Sequence, residues 1–317
     1  MKIVYLGSGE FGLECLNALA DSSHSLEFIV TQSAQPAGRG RKLRPTPVAC
    51  WANNHSTAFI ETEDVNKPSV IDQIAARQAD LLLVIAFGQK IGTQLIKLPP
   101  KGAINVHASL LPKYRGAAPI NWAIINGERQ TGISIITLAE KMDAGSILAR
   151  AKTDIGADET AGELHDKLAR IAAPLLMETL DKIADNKVAY TEQDHSKATM
   201  APKLKKTDGF LDFGEPAESL ARKIRGCWPW PGASALYLSK KTGKRLRVTL
   251  VKACVFEASG AGRLPAGTID ENLHILCGEG ALKVTRIKPA GGSVMDFKDF
   301  ANGRQTCPGD QFIKTEG

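Results

Sequence analysis

The chain has 317 residues, 43% hydrophobic and 23% charged, which is the range of ordinary soluble globular proteins and enough sequence for two separate cores. No apolar run approaches the roughly 18 residues that cross a bilayer, and the opening MKIVYLGSGEFG enters a strand pattern at once, without the basic and apolar regions of a signal peptide. The cysteines stand apart with no Cys-x-x-Cys spacing, which argues against a disulfide framework or a zinc site and sets reduced thiols in a cytoplasmic protein as the expectation.

From the N-terminus, KIVYLG, LEFIVTQ, AFIET, LLLVIAF and GAINVHA are β-rich runs, with the helical patterns FGLECLNALADS and SVIDQIAARQ between them. Strands separated by helices of this length imply βαβ units and a parallel sheet covered on both faces. GISIITL and SILARAKTDI then form a strand pair around the loop AEKMDAG. A long helix follows, with apolar residues at helical period through 165–186, and Thr160-Ala-Gly-Glu163 at its start has the spacing of a capping box. Sequence between 187 and 210 turns polar and reads as a linker. Beyond it, ASALYL, KRLRVTLVKACVF, AGTID, LHILCGE and ALKVTRIKPAG are short strands of a small β-barrel, and MDFKDFANG is a short helix near the end.

Gly7-Ser8-Gly9-Glu10-Phe11-Gly12 matches GxGxxG after a first strand. A dinucleotide site also needs an acid at the end of the second strand to hold the ribose, and that strand ends in Thr31 and Gln32. The glycines therefore read better as a tight strand-to-helix turn without a nucleotide. Asn105-Val106-His107 sits at the C-terminal end of a strand, where ligands bind in open parallel sheets, and alternation puts Asn105 and His107 on one face. An amide is a non-titrating donor suited to an oxyanion, and histidine can give or take a proton near neutrality. Such a pair is either a structural strand end or a catalytic one. The loop that follows, 109–119, mixes backbone-restricting residues with small ones and carries two leucines expected to be exposed, as in a binding rim. Asp143, in Met142-Asp-Ala-Gly145, is either a turn residue or a carboxylate that orients His107 and favours its cationic form. The six histidines are isolated, with no HxH or HExxH pattern, so no metal centre is expected.

Charge is unevenly placed: residues 201–252 carry +8 while the rest of the chain carries −2, against a net charge of +6. Another basic segment, 36–47, sets Arg39, Arg41, Lys42 and Arg44 among Gly and Pro, with few acids nearby to neutralise them. It reads as a mobile arm that orders on a phosphate backbone, against the alternative of a solvated loop; the basic C-terminal region points to the same polyanionic partner.

Asn-x-His at 105–107, SLLPKYRGAAP at 109–119 and MDAG at 142–145 together resemble the signature of the formyltransferases that use 10-formyltetrahydrofolate. The basic loop at 32–48, PKLKK at 202–206 and IRGCWPWP at 224–231 are similar to the members that formylate methionyl initiator tRNA. The resemblance implies an α/β, Rossmann-like parallel-sheet domain over 1–189, a linker over 190–206 and an OB-like barrel over 207–317 that binds tRNA. It implies Asn105, His107 and Asp143 as catalytic residues, and Ser109, Leu110, Leu111 and Pro112 as the folate loop. Arg39, Arg41, Lys42, Arg44, Lys203, Lys205 and Lys206 are then the tRNA contacts, with 10-formyltetrahydrofolate as co-substrate and no metal. A monomer is the expected state. Two other readings share parts of this pattern: a formyltransferase acting on a small amine, which has no use for the basic regions, and an RNA-binding protein whose first domain is only a scaffold.

Overall fold

The computed structural model describes residues 1–37, 42–256 and 264–315, and the chain forms two compact units built from interleaved stretches. The first comprises Met1–Pro119, Gln130–Thr153 and His165–Pro202; the second comprises Ile120–Arg129, Asp154–Leu164 and Lys203–Gly317.

The first unit carries strands β1 (Lys2–Gly7), β2 (Ser25–Gln32), β3 (Gln35–Ala37), β4 (Lys42–Arg44), β5 (Phe59–Thr62), β6 (Leu81–Ile85), β7 (Ala103–His107), β8 (Gln130–Thr137) and β9 (Ile147–Asp154). Its helices are α1 (Leu13–Ala20), α2 (Pro47–Asn54), α3 (Pro68–Ala75), α4 (Thr93–Ile96), the start of α5 (Pro119–Ile125) and most of α6 (Ala161–Ala184). Seven strands make one sheet in the order β5-β2-β1-β6-β7-β8-β9. The pairings from β5 across to β7 are parallel, as expected from the βαβ alternation. β8 departs from that expectation: it runs antiparallel to β7, with Asn105 opposite Ile136 and His107 opposite Ser134. The sheet is therefore mixed, and the helix between the two strands, Pro119–Ile125, does not make a parallel crossover.

Central strands are buried on both faces, which is why they read as continuous apolar runs rather than alternating ones. Val4, Leu6, Phe28, Val30, Leu82 and Val84 pack against Val70, Ile71 and Ile74 of α3. Ile3, Tyr5, Ile29, Leu81, Leu83 and Ile85, on the opposite face, are also buried.

Tyr5 explains the glycine pattern. Its ring lies 2.5 Å from where a Cβ at Gly7 would stand, and its hydroxyl occupies the place of a Cβ at Gly12. The amides of Ser8 and Gly9 both point to Ala86 O at 3.3 Å rather than outward toward a phosphate. At the end of β2, Gln32 donates to Phe87 O at 2.7 Å, and Thr31 bonds Thr46, which caps α2. The turn is shaped around a tyrosine, in line with the missing ribose acid.

The roots of the basic arm are more ordered than expected from composition: β3 and β4 pair antiparallel, Gln35 opposite Arg44 and Ala37 opposite Lys42. Residues 38–41, including Arg39 and Arg41, lie outside the described residues.

In the second unit, β10 (Ala233–Leu238), β11 (Arg245–Phe256), β12 (Ile275–Leu276), β13 (Ala281–Pro289), β14 (Met295–Asp296) and β15 (Gln311–Lys314) form an antiparallel sheet in the order β12-β13-β11-β10-β15, with β14 on β13. AGTID, expected as a strand, instead supplies single bridges that close the barrel: Thr268 pairs with Gln311, and Ile269 with Ile275. Helices α7 (Ala217–Gly226) and α8 (Phe297–Arg304) add Leu220, Ile224, Phe297 and Phe300 to the barrel core.

The capping box at the start of α6 forms as read from sequence. Thr160 N and Oγ1 both donate to Glu163 Oε2 at 2.8 Å, and Glu163 N returns a bond to Thr160 Oγ1 at 3.3 Å. These bonds from the Thr160 main chain and hydroxyl hold the Glu163 carboxyl below its usual range. A depressed carboxylate contributes stability above its unfolded value and loses it as pH falls through the lower folded value. Thr160→Ala is therefore expected to cost about 1 kcal/mol in urea unfolding at neutral pH, with the difference narrowing in acid below about pH 4.3. An equal cost at pH 7 and pH 3 would contradict the assignment.

Candidate active site

β7 delivers Asn105 and His107 to the end of the sheet on the same face, as alternation requires. His107 is 5% exposed and Asn105 half-buried. His107 Nε2 lies 2.9 Å from Tyr114 O. A carbonyl only accepts, so Nε2 carries the hydrogen and donates it, which leaves Nδ1 facing the carboxylate of Asp143 at 3.6 Å. Asn105 Nδ2 donates toward the other carboxylate oxygen at 3.5 Å. Asp143 sits in the turn between β8 and β9, 12% exposed, and its Oδ2 accepts from Gly116 N at 2.8 Å. The three residues singled out in the sequence are thus brought together around one carboxylate.

The loop after β7 is tied down by its own backbone. Ser134 of β8, fully buried, donates to Ser109 O at 2.7 Å and accepts from Leu111 N at 3.1 Å. Ser109 Oγ donates to Lys113 O at 2.7 Å. The expectation of two exposed leucines is corrected here: Leu111 is 1% exposed and packs with Ile136 and Ile147, and Leu110 is half-buried beside Gly132. The fold back onto β8 that Ser134 enforces turns Leu111 inward. Pro112 is half-buried.

Residues 190–202 join this site without regular strand structure. Arg115 N donates to Thr199 O at 2.8 Å, Ala201 N to Arg115 O at 2.7 Å, and Tyr114 N to Thr199 Oγ1 at 2.9 Å. Gln193 bridges Arg115 to the backbone of Asp143 and Gly145. Sequence reading missed Ser134, Arg115 and Gln193 as site residues. Arg115 lay within a motif that was noticed, whereas nothing in YTEQDHS marks Gln193.

Lys42 and Arg44 are exposed on β4 of the first unit; Lys203, Lys205 and Lys206 are exposed in the second. The turn joining β10 to β11 adds exposed Lys240, Lys241 and Lys244, and the start of β11 adds exposed Arg245 and Arg247.

A neutral amide donor and an imidazole flanking a buried carboxylate suit a reaction that builds negative charge on a carbonyl oxygen while a proton changes place. Comparison with known proteins agrees. The chain is 37% identical to the methionyl-tRNA formyltransferase of Trichlorobacter lovleyi, over 99% of this chain and 98% of that one. It is 39% identical to the methionyl-tRNA formyltransferase of Halorhodospira halophila, over 98% of each. Among solved structures, HypX from Aquifex aeolicus in complex with tetrahydrofolic acid matches all of this chain and 51% of its own, about half its length, with a TM-score of 0.63 at 18% identity. The sugar 3N-formyl transferase WlaRD matches 91% of this chain and 97% of its own, with a TM-score of 0.62 at 14% identity; both likenesses concern the fold alone. The formyl transferase model matches residues 1–180 and the formyl transferase C-terminal domain model residues 203–305, and the chain belongs to the formyl transferase family.

Proposed function

We propose that this chain transfers the formyl group of 10-formyltetrahydrofolate to the amino group of methionine esterified to initiator tRNA. The observation that supports the chemistry is the Asn105–His107–Asp143 cluster at the end of β7. As the amine nitrogen bonds to the formyl carbon, Asn105 and protonated His107 stabilise the oxyanion that develops on the formyl oxygen. Asp143 holds the imidazolium and orders the proton transfers: the amine loses a proton, the bond from carbon to N10 breaks, and N10 leaves protonated. Leu110 and Pro112, both half-buried, line the folate side, and Ser109 and Leu111, buried beneath them, hold that loop in place. Residues 1–189 carry the chemistry, and 207–317 bind the body of the tRNA through phosphate contacts.

Full-length identity to methionyl-tRNA formyltransferases supports the acceptor, as do the two basic regions: a small amine would use neither the β3–β4 ribbon nor the basic turn of the barrel. A formyl-transfer assay with 10-formyltetrahydrofolate tests this directly. Initiator Met-tRNA is expected to be formylated far faster than elongator Met-tRNA or free methionine. Equal rates on free methionine and charged tRNA would overturn the acceptor.

The arm assignment has its own test. Neutralising Arg39, Arg41, Lys42 and Arg44 together is expected to weaken use of Met-tRNA and to lower the slope of its log–log salt dependence by roughly one for each lost phosphate contact. Folate binding, followed by fluorescence quenching, stays unchanged. Unaltered activity on charged tRNA would remove the arm from the interface.

A further inference from the structure

Gln193 has no part in the bond changes above, yet it is 5% exposed and its amide is saturated. Its Nε2 donates to Asp143 O at 2.8 Å and to Gly145 O at 2.7 Å. Its Oε1 accepts from Arg115 Nε at 3.2 Å and from Arg115 Nη2 at 2.7 Å. The orientation of the amide is unambiguous, because carbonyls only accept and a guanidinium only donates. Arg115 Nη2 also donates to His195 Nδ1 at 2.8 Å, and the Arg115 main chain is held by Thr199 and Ala201.

These bonds converge on one residue. Asp143 has φ +52°, a left-handed conformation that a non-glycine residue holds only when its surroundings impose it. Gln193 holds its main chain from one side. Gly116, next in sequence to Arg115, holds its carboxylate from the other. The Arg115–Gln193 pair connects the two anchors. The contacts that Asp143 makes with His107 and Asn105, 3.6 and 3.5 Å, stand at the outer limit of such interactions, so a shift of a few tenths of an ångström decides whether they exist.

We infer that Gln193 and Arg115 are positioning residues that set the Asp143 carboxylate against His107 and Asn105. The inference rests on the role given to Asp143 above. It makes the 190–202 stretch part of the catalytic apparatus rather than a passive connection.

Gln193→Glu separates this from a merely structural role. Glutamate has nearly the same shape and keeps acceptors for Arg115, but it loses both N–H groups and turns a carboxylate toward two carbonyls. Turnover in formyl transfer is expected to fall about 10- to 100-fold, as for a catalytic group displaced by about an ångström, with KM for both substrates within about twofold of the original. Gln193→Met, which removes the donors without adding charge, carries the same expectation and serves if the glutamate variant does not fold. The decisive measurement is the double variant. In an Asp143→Ala background, Gln193→Glu is expected to cause no further loss, because its effect runs through Asp143. Multiplicative losses, or single variants with unchanged turnover, overturn the inference. Full activity in Asp143→Ala alone overturns the catalytic reading and this inference with it. A crippled Asp143→Ala beside a fully active Gln193→Glu overturns only the inference.

Discussion

Replacing His107 with alanine is expected to lower formyl transfer to Met-tRNA by roughly 10²- to 10⁴-fold, the range for loss of a general acid–base group. Asn105→Ala is expected to cost about 10²- to 10³-fold, as for removal of one oxyanion donor. The two losses differ in form. His107→Ala removes the side chain that gives and takes the proton; Asn105→Ala removes a neutral donor and leaves the imidazole in place. His107 is buried and donates to Tyr114 O, so alanine also leaves that carbonyl without its donor. His107→Gln, which can still place an N–H there, controls for that effect. It is expected to fold as the original does and to remain severely impaired. A variant lacking His107 that retained more than about a tenth of the original rate would remove the imidazole from the mechanism.

Gly116→Ala is expected to impair both stability and turnover. Gly116 has φ +122°, and an added Cβ would stand 2.6 Å from Ala201 O and 3.2 Å from its carbonyl carbon. Those atoms are backbone, so the 199–201 stretch or the loop has to move. The strained conformation alone costs about 1–3 kcal/mol, measurable as a lowered urea midpoint. The movement also takes Gly116 N away from Asp143 Oδ2, now 2.8 Å distant. A hydrogen bond to a charged group contributes about 1.5–3 kcal/mol, which corresponds to a further drop in turnover of roughly 10- to 100-fold. Gly102→Ala is a matched control: its φ is +76°, but nothing lies within 4 Å of the added Cβ, and it stands away from the site. It is expected to show backbone strain without the catalytic loss. Equal turnover in both glycine variants would sever Gly116 from the site.

The parts of this site that the sequence revealed are those governed by short-range rules. Alternation along β7 put Asn105 and His107 on one face, and the strand end put them at the ligand side of the sheet. The GxGxxG turn was read without a nucleotide because Gln32 stood where an acid was needed; the reason the glycines are there, the ring of Tyr5, is a packing fact that no motif expresses. Leu111 was misread because loop periodicity does not report burial, and the buried Ser134 that folds the loop inward lies on another strand. Gln193 was invisible for a similar reason. Its amide N–H groups meet main-chain carbonyls 48 and 50 residues away, and a backbone group leaves no trace in side-chain pattern; its other partner, Arg115, is 78 residues away. The antiparallel turn of β8 against β7 was likewise unread, since strand direction depends on the connection rather than on the strand itself.

The interleaving of the two units bears on how the chain is made. Ile120–Arg129 and Asp154–Leu164 leave the ribosome well before Lys203–Gly317, with which they pack. Within that unit, Asn121 donates to Gly226 O at 2.8 Å and Arg225 donates to Glu159 O at 3.0 Å. Ile125 packs on the barrel core. Both early segments therefore wait for their barrel partners until the barrel has been synthesised. A nascent chain halted near residue 200 holds every strand of the catalytic sheet but lacks the barrel residues against which these segments pack. A fragment beginning at Lys203 has the reverse defect: it contains all the barrel strands and lacks the two pieces that complete its packing.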